Sequence, residues 1–256
     1  MKREVAKMHG ARNDFIVIDA RLTPVNDGPF LAGRLCDRHT GIGADGLLIV
    51  EGSNTGDVAM RVINADGSEA EMCGNGVRCV ARYLDEKGEG GELDIETNAG
   101  MIHTSIVERG TIYRVRVDMG TPRVLDTELP IKDALVVDTG NPHLVLFRDG
   151  FEEIDLLMFG ERMQTHALFP QGVNVHTAHV RERDAMVVRH YERGAGLTMA
   201  CGTGAVASVA AAMHRGAVSA PVTVHVPGGE LTIEVGADGR AFMTGPAVHV
   251  FDTVIE

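Results

Sequence analysis

The feature that most constrains this chain is an internal repeat. Cys73-Gly74-Asn75-Gly76 recurs 128 residues later as Cys201-Gly202-Thr203-Gly204, and 128 is half of the 256-residue length. The same offset pairs Asn13 with Asn141, Asn64 with Glu192 and Gly88 with Gly216. Each asparagine of the first pair precedes an apolar run, Phe15-Ile16-Val17 in one half and Leu144-Val145 after His143 in the other. A single four-residue match comes easily in a chain with 31 glycines. A register held from residue 13 to 88 and again from 141 to 216 points to duplication. Two similar domains are expected, 1–122 and 123–247, linked near Pro122 to Pro130.

Periodicity gives the elements. Phe15-Ile16-Val17-Ile18, Leu47-Leu48-Ile49-Val50 and Leu144-Val145-Leu146-Phe147 read as buried strands. Val58, Met60 and Val62 alternate, as do Val115 and Val117, which is the half-buried pattern. Leu31, Ala32, Leu35 and Cys36 have helical spacing, and so do Val77, Val80, Ala81 and Leu84. From Gly204 to Met213 the chain is apolar nearly all round, which predicts a buried helix. Many short strands and few helices, without regular βαβ alternation, indicate an α+β fold.

Composition narrows the function. Hydrophobic residues make up 44% and charged residues 23%, enough for a sizeable core. The net charge of −12 argues against a nucleic-acid or anionic-membrane partner, since both need a basic face. Trp is absent and aromatics are 4%, so a stacking surface for single strands is not expected. No apolar run approaches the ~18 residues of a spanning helix, and the first ten residues lack the apolar stretch of a secretory signal. Four cysteines, at 36, 73, 79 and 201, are too few for a disulfide scaffold and match no zinc spacing. Cys73 and Cys79 on one helix would lie roughly 9 Å apart, beyond disulfide reach. The expectation is a cytoplasmic protein with reduced thiols.

The repeated thiols carry the chemistry. A cysteine opening a helix sits near the positive end of the dipole and near unpaired N–H groups, which favours thiolate over the free pKa of about 8.5. The same N–H groups suit a carboxylate, and the glycines let it approach the backbone. Pseudo-twofold packing is expected to bring the two helix N-termini to face each other. A carboxylate held between them would set its own α-carbon between two sulfurs. One thiolate then takes the α-proton from one face while the other thiol delivers a proton to the opposite face, inverting the centre. The N–H groups stabilise the charge that develops on the carboxylate. No cofactor is needed.

Several stretches resemble the diaminopimelate epimerase family. They are Asn13-Asp14-Phe15, Asp37-Arg38-His39-Thr40-Gly41-Ile42-Gly43-Ala44-Asp45-Gly46, Asn64-Ala65-Asp66-Gly67-Ser68-Glu69 and Met72-Cys73-Gly74-Asn75-Gly76-Val77-Arg78-Cys79. Gly140-Asn141-Pro142-His143, Gly172-Val173-Asn174-Val175, Tyr191-Glu192-Arg193-Gly194-Ala195-Gly196 and Ala200-Cys201-Gly202-Thr203-Gly204 continue the match in order. The resemblance implies a cofactor-independent homodimer that interconverts LL- and meso-2,6-diaminoheptanedioate in lysine and cell-wall precursor synthesis. It implies Cys73 and Cys201 as the acid/base pair. Gly74, Asn75, Gly202 and Thr203 would hold the reacting carboxylate, and Asn13, Asn64, Asn141, Asn174, Glu192 and Arg193 the rest of the substrate. His143 and Glu192 would lie near the thiols and tune them. It also implies a curved, mainly antiparallel sheet around one central helix in each domain. The helices would span residues ~74–87 and ~202–215, and the last strand, 248–256, would return to the first domain. Two positions depart from the family pattern. Gly46 stands where some members have a glutamine that touches substrate, and Leu197 where a Glu is common.

Plainer roles are expected elsewhere. Cys36 and Cys79 read as core residues, and Cys79 is matched by Ala207 in the repeat. Asn13, Asn141 and Asn174, taken alone, serve equally well as turn residues. His176 and His179, three apart on a strand, should point to opposite faces and serve packing or surface roles, not metal binding. Glu86 to Glu92 reads as a solvated loop. Two rival functions remain. A proline racemase or hydroxyproline epimerase also uses two Cys-Gly-x-Gly turns, but resembles Cys-Gly-His-Gly at the first, where this chain has Asn75. A thiol switch closing a Cys73–Cys201 disulfide would need neither Arg193 nor the asparagines.

Overall fold

Two of the four helices among the described residues begin at the glycine after a repeated cysteine, and both are 13 residues long. The computed structural model describes residues 2–110, 113–125, 129–148 and 155–256. Part of the expected link, residues 126–128, lies outside them. The chain packs as two units, 1–117 with 245–256 and 118–244.

In the first unit the elements run β1 (Arg3–Gly10), β2 (Asn13–Asp19), α1 (Gly28–Cys36), β3 (Gly46–Glu51), β4 (Val58–Asn64), β5 (Glu69–Ala70), α2 (Gly74–Glu86), β6 (Glu92–Thr97), β7 (Gly100–Glu108) and β8 (Arg114–Asp118). In the second they run β9 (Arg123–Leu125), β10 (Ala134–Asp138), β11 (Pro142–Phe147), α3 (Leu156–Met163), β12 (Asn174–Glu182), β13 (Ala185–Glu192), β14 (Gly196–Thr198), α4 (Gly202–His214), β15 (Val222–Val226), β16 (Gly229–Val235) and β17 (Ala241–Pro246). The closing strand β18 (Val248–Ile255) belongs to the first unit, where it pairs antiparallel with β1.

Both units have the same strand order. The first reads β18-β1-β2-β3-β4-β6-β7-β8, with β5 also on β4. The second reads β9-β10-β11-β12-β13-β15-β16-β17, with β14 also on β13. All pairs are antiparallel except β2–β3 and β4–β6, and their counterparts β11–β12 and β13–β15. Parallel neighbours need a crossover. A helix supplies each one: α1 follows β2, α2 follows β4 and β5, α3 follows β11, and α4 follows β13 and β14. The class is α+β, as the spacing predicts, and it is sheet-dominated and mainly antiparallel, as the resemblance implies.

The two helices of a unit cover opposite sheet faces. Ile16, Ile18, Leu47, Ile49 and Ile63 pack with Ala32 and Leu35 of α1. Leu144, Leu146, Val175 and Tyr191 pack with Leu156 and Met163 of α3. The alternate strand residues face the central helix, α2 or α4, so the strands read as unbroken apolar runs. α2 packs against β1, β2, β3, β4 and β7, and α4 against β9 to β13 and β16. Helices α1 and α3 share an N-cap 128 residues apart: Asp27 accepts from Phe30 N at 3.0 Å, and Asp155 from Met158 N at 3.2 Å. The sequence reading did not anticipate α3.

Candidate active site

Cys73 and Cys201 are the N-cap residues of α2 and α4. Both have extended backbones, φ −139° with ψ 110° and φ −125° with ψ 113°, and neither side chain caps its own helix. The second glycine of each motif lets a strand side chain reach the first turn. A Cβ on Gly76 would stand 2.9 Å from Leu48 Cδ2, and one on Gly204 would stand 2.4 Å from His176 Cε1. Leu48 and His176 are themselves 128 residues apart.

In the first unit the half-buried Cys73 Sγ donates to Asn13 Oδ1 at 3.6 Å, and Asn75 Nδ2 donates to the same oxygen at 3.1 Å. Asn13 Nδ2 donates to Asp45 Oδ2 at 2.8 Å, which fixes the amide. Asn75 is buried and its Oδ1 accepts from Arg78 Nη2 at 2.7 Å. Arg78 is wholly buried. Its guanidinium also donates to the carbonyls of Gly74 and Pro246, and burial lowers its pKa to about 10. Sequence reasoning gave Arg78 no role. Behind Asn13, Arg38 bridges Asp14 and Asp45 at 2.8 Å each, and Lys7 reaches Asp14. Burial pushes the Asp14 carboxyl up, but hydrogen bonds from Arg38 and Lys7 outweigh it and hold the group at about 2. Asn64 ends β4 exposed, with its amide donating to Ser68 Oγ at 3.0 Å.

In the second unit Cys201 is buried, with its sulfur 3.5 Å from Thr203 Oγ1. Burial pushes its thiol pKa well up, and the adjoining Glu192 carboxylate pushes it further. Hydrogen bonding to Thr203 and to the Gly204 N–H opposes them without prevailing. This corrects the expectation of a thiolate at each helix N-terminus. For Cys201, dehydration of the charged sulfur and a neighbouring negative charge exceed the pull of the helix end. Asn174 is buried, donates to Pro142 O at 3.3 Å and accepts from the Arg193 backbone N–H at 3.0 Å. The exposed Arg193 guanidinium rests on Gln171 O at 3.0 Å.

His143 is fully buried, and its ring is committed. Nε2 lies 2.8 Å from Asn141 Oδ1, and Nδ1 lies 2.7 Å from His176 Nε2. His176 Nδ1 in turn lies 2.9 Å from His190 Nδ1. Burial lowers the pKa of His143 and of His190 to about 3, and that of His176 well below its usual value. His176 is therefore part of a buried imidazole chain, more than the packing role expected, while His179 binds Arg148 O. The signal that could have found the chain is the repeat: the three histidines align with Phe15, Leu48 and Val62. Cys36 and Cys79 are buried, and burial raises their pKa to about 11 and about 12.

A protein-family profile described as diaminopimelate epimerase matches residues 5–125 and 135–250. The chain is 42% identical to the diaminopimelate epimerase of Desulfitobacterium hafniense over 98% of each sequence. Among solved structures it resembles a Bacillus anthracis phenazine biosynthesis protein with a TM-score of 0.80 at 16% identity, covering 100% of this chain and 99% of that one. It also resembles a hydroxyproline epimerase of Agrobacterium vitis with a TM-score of 0.70 at 16% identity, covering 99% and 91%. At that identity the two structures speak to the fold alone. No helix among the described residues is long and apolar enough to cross a membrane.

Proposed function

Because the chain belongs to the diaminopimelate epimerase family, we propose that it interconverts LL- and meso-2,6-diaminoheptanedioate by a two-base thiol mechanism. The observation that carries this reading is the duplicated cysteine N-cap, each at the start of a buried helix whose N-terminus suits a carboxylate. In the reading, Gly74, Asn75, Gly202 and Thr203 hold the reacting carboxylate. Asn13, Asn64, Asn141, Asn174, Glu192 and Arg193 bind the remainder. Arg193 suits a carboxylate because its planar fork grips two oxygens.

The chemistry balances without an external reagent. One thiolate takes the α-proton, breaking C–H and forming S–H. The opposite thiol gives its proton to the other face of the carbanion, breaking S–H and forming C–H. The direction in which Cys73 is the base begins from a protonated Cys201, the form that burial and the Glu192 carboxylate favour. The reverse direction exchanges the roles, with Glu192 beside Cys201 adjusting its proton affinity. The reading carries with it a cytoplasmic homodimer acting in lysine and cell-wall precursor synthesis. Exposed Val250, Phe251 and Val254 on β18 are suited to a subunit contact.

Purified protein supplied with the LL-isomer should form the meso-isomer, read by chiral chromatography, and should leave proline and hydroxyproline untouched. In deuterium oxide, early product should carry deuterium at the inverted centre while unreacted substrate carries little. Cys73→Ala and Cys201→Ala should each lower inversion by ~10²–10⁴-fold. Early product that retains its original hydrogen, or an alanine variant with wild-type inversion, would overturn the two-thiol mechanism.

A further inference from the structure

The buried imidazoles form a directional chain. Four side chains stand in line, Asn141–His143–His176–His190, at 2.8, 2.7 and 2.9 Å. Each neutral imidazole has one N–H and one lone pair. Asn141 Oδ1 can only accept, so His143 carries its proton on Nε2. Its Nδ1 is then an acceptor and takes the proton of His176 Nε2. His176 Nδ1 must accept in turn, from His190 Nδ1–H. One bare lone pair is left, at His190 Nε2, and that atom is buried with no hydrogen-bond partner. The reverse order would put a buried N–H without an acceptor at His190 Nε2, so the far end of the chain favours this one. Burial keeps all three rings neutral, which the order requires.

Packing alone does not call for these groups. The repeat-equivalent positions in the first unit hold Phe15, Leu48 and Val62, and Leu48 fills the same place against Gly76 that His176 fills against Gly204. The amide equivalent to Asn141 is Asn13, which is oriented by Asn75 and Asp45 instead. At Asn141 the Oδ1 atom takes up His143 Nε2 at 2.8 Å and Thr139 Oγ1 at 3.2 Å, leaving Nδ2 as the outward group.

We propose that His176 and His190 are positioning residues: through the His143 tautomer they hold the Asn141 amide with Nδ2 outward, as a donor to a substrate carboxylate. This rests on the epimerase reading for the identity of the substrate, but not for the order of the chain. Remove His176 and the amide alone sets the His143 proton, so the flipped pair, with Asn141 Nδ2–H donating to a bare His143 Nε2, becomes accessible. An oxygen would face the substrate carboxylate in place of an N–H.

The test has two independent arms. Two-dimensional ¹H–¹⁵N spectra of the free protein should show His143 and His176 protonated on Nε2 and His190 on Nδ1. His143 on the Nδ1–H tautomer would overturn the proposal whether or not the protein is an epimerase. In His176→Leu, which copies the other repeat, His143 should lose its single tautomer and KM for the LL-isomer should rise severalfold, with a smaller effect on kcat. His176→Gln, whose amide offers a donor and an acceptor in the same order, should recover most of that loss. Equal KM values in His176→Leu and wild type, or a Gln variant no better than Leu, would show the chain to be packing only. A wild-type protein inactive on this substrate but with the expected tautomers would remove the epimerase reading and leave the chain standing.

Discussion

At Cys201 two local effects of opposite sign compete for one proton. The N-terminus of α4 favours the thiolate, while burial and the Glu192 carboxylate favour the thiol, and the thiol prevails. Removing the carboxylate removes one of the two raising causes, so Glu192→Gln should lower the Cys201 pKa. An ultraviolet titration of thiolate absorbance, with Cys201→Ser to assign the transition, should show it moving to lower pH; an unmoved or higher transition would contradict this account. The sequence marked Cys201 through its repeat partner Cys73, because duplication keeps register. It could not supply the sign of the shift, because burial of one sulfur depends on how β13 and α4 close around it. The same limit hid His176 and His190. Alternation along a strand separates two faces, but it does not say which face meets the central helix.

At the scale of the element, α2 and α4 are the same helix in two settings. Neither Gly76 nor Gly204 has a left-handed backbone, so what constrains them is space. Leu48 meets a Cβ at position 76 with the tip of a flexible side chain, at 2.9 Å. His176 meets one at position 204 with ring atoms at 2.4, 2.7 and 3.0 Å, and hydrogen bonds to His143 and His190 tether that ring. Gly204→Ala should therefore destabilise by about 1–3 kcal/mol through overpacking. Gly76→Ala should be near neutral, because alanine in a helix regains roughly 0.5–1 kcal/mol over glycine. Urea unfolding followed by circular dichroism checks the difference. In a His176→Leu background the cost of Gly204→Ala should fall towards that of Gly76→Ala, and an undiminished cost would point to some other contact. The helix starts were legible because cysteine and glycine stand immediately before an apolar pattern in each half. Helix α3 was not, since Leu156, Gly160 and Met163 bury a short stripe whose central member is a glycine pressed against Tyr191.

At the scale of the whole molecule, the two units share a strand order but should differ in their acid response. The second unit buries three imidazoles whose folded-state pKa values lie below the ordinary 6.5, at about 3 for His143 and His190 and well below it for His176. Between those values the unfolded chain binds more protons than the folded one, so stability rises with pH. The contribution is fully present above about pH 6.5 and drains away as the pH falls towards 3. In the first unit His9 shifts in the same direction, through burial opposed by Asp14, but it is only partly buried and is not part of such a chain. The Asp14 carboxylate there is held at about 2 against an ordinary 3.8, so its contribution begins to fail only below that ordinary value. The second unit should therefore loosen first on acidification. Hydrogen exchange read by mass spectrometry at about pH 5 and about pH 7.5, corrected for the intrinsic pH dependence of exchange, compares the two. Segments from β12, β13 and α4 should lose more protection than those from β1, β2, β3 and α2. Replacing His176 by Leu and His190 by Val, as in the first repeat, should remove much of that excess loss. Earlier loss in α2 and β1, or an acid response unchanged by the two replacements, would mean that the buried imidazoles do not set the acid limit of this protein.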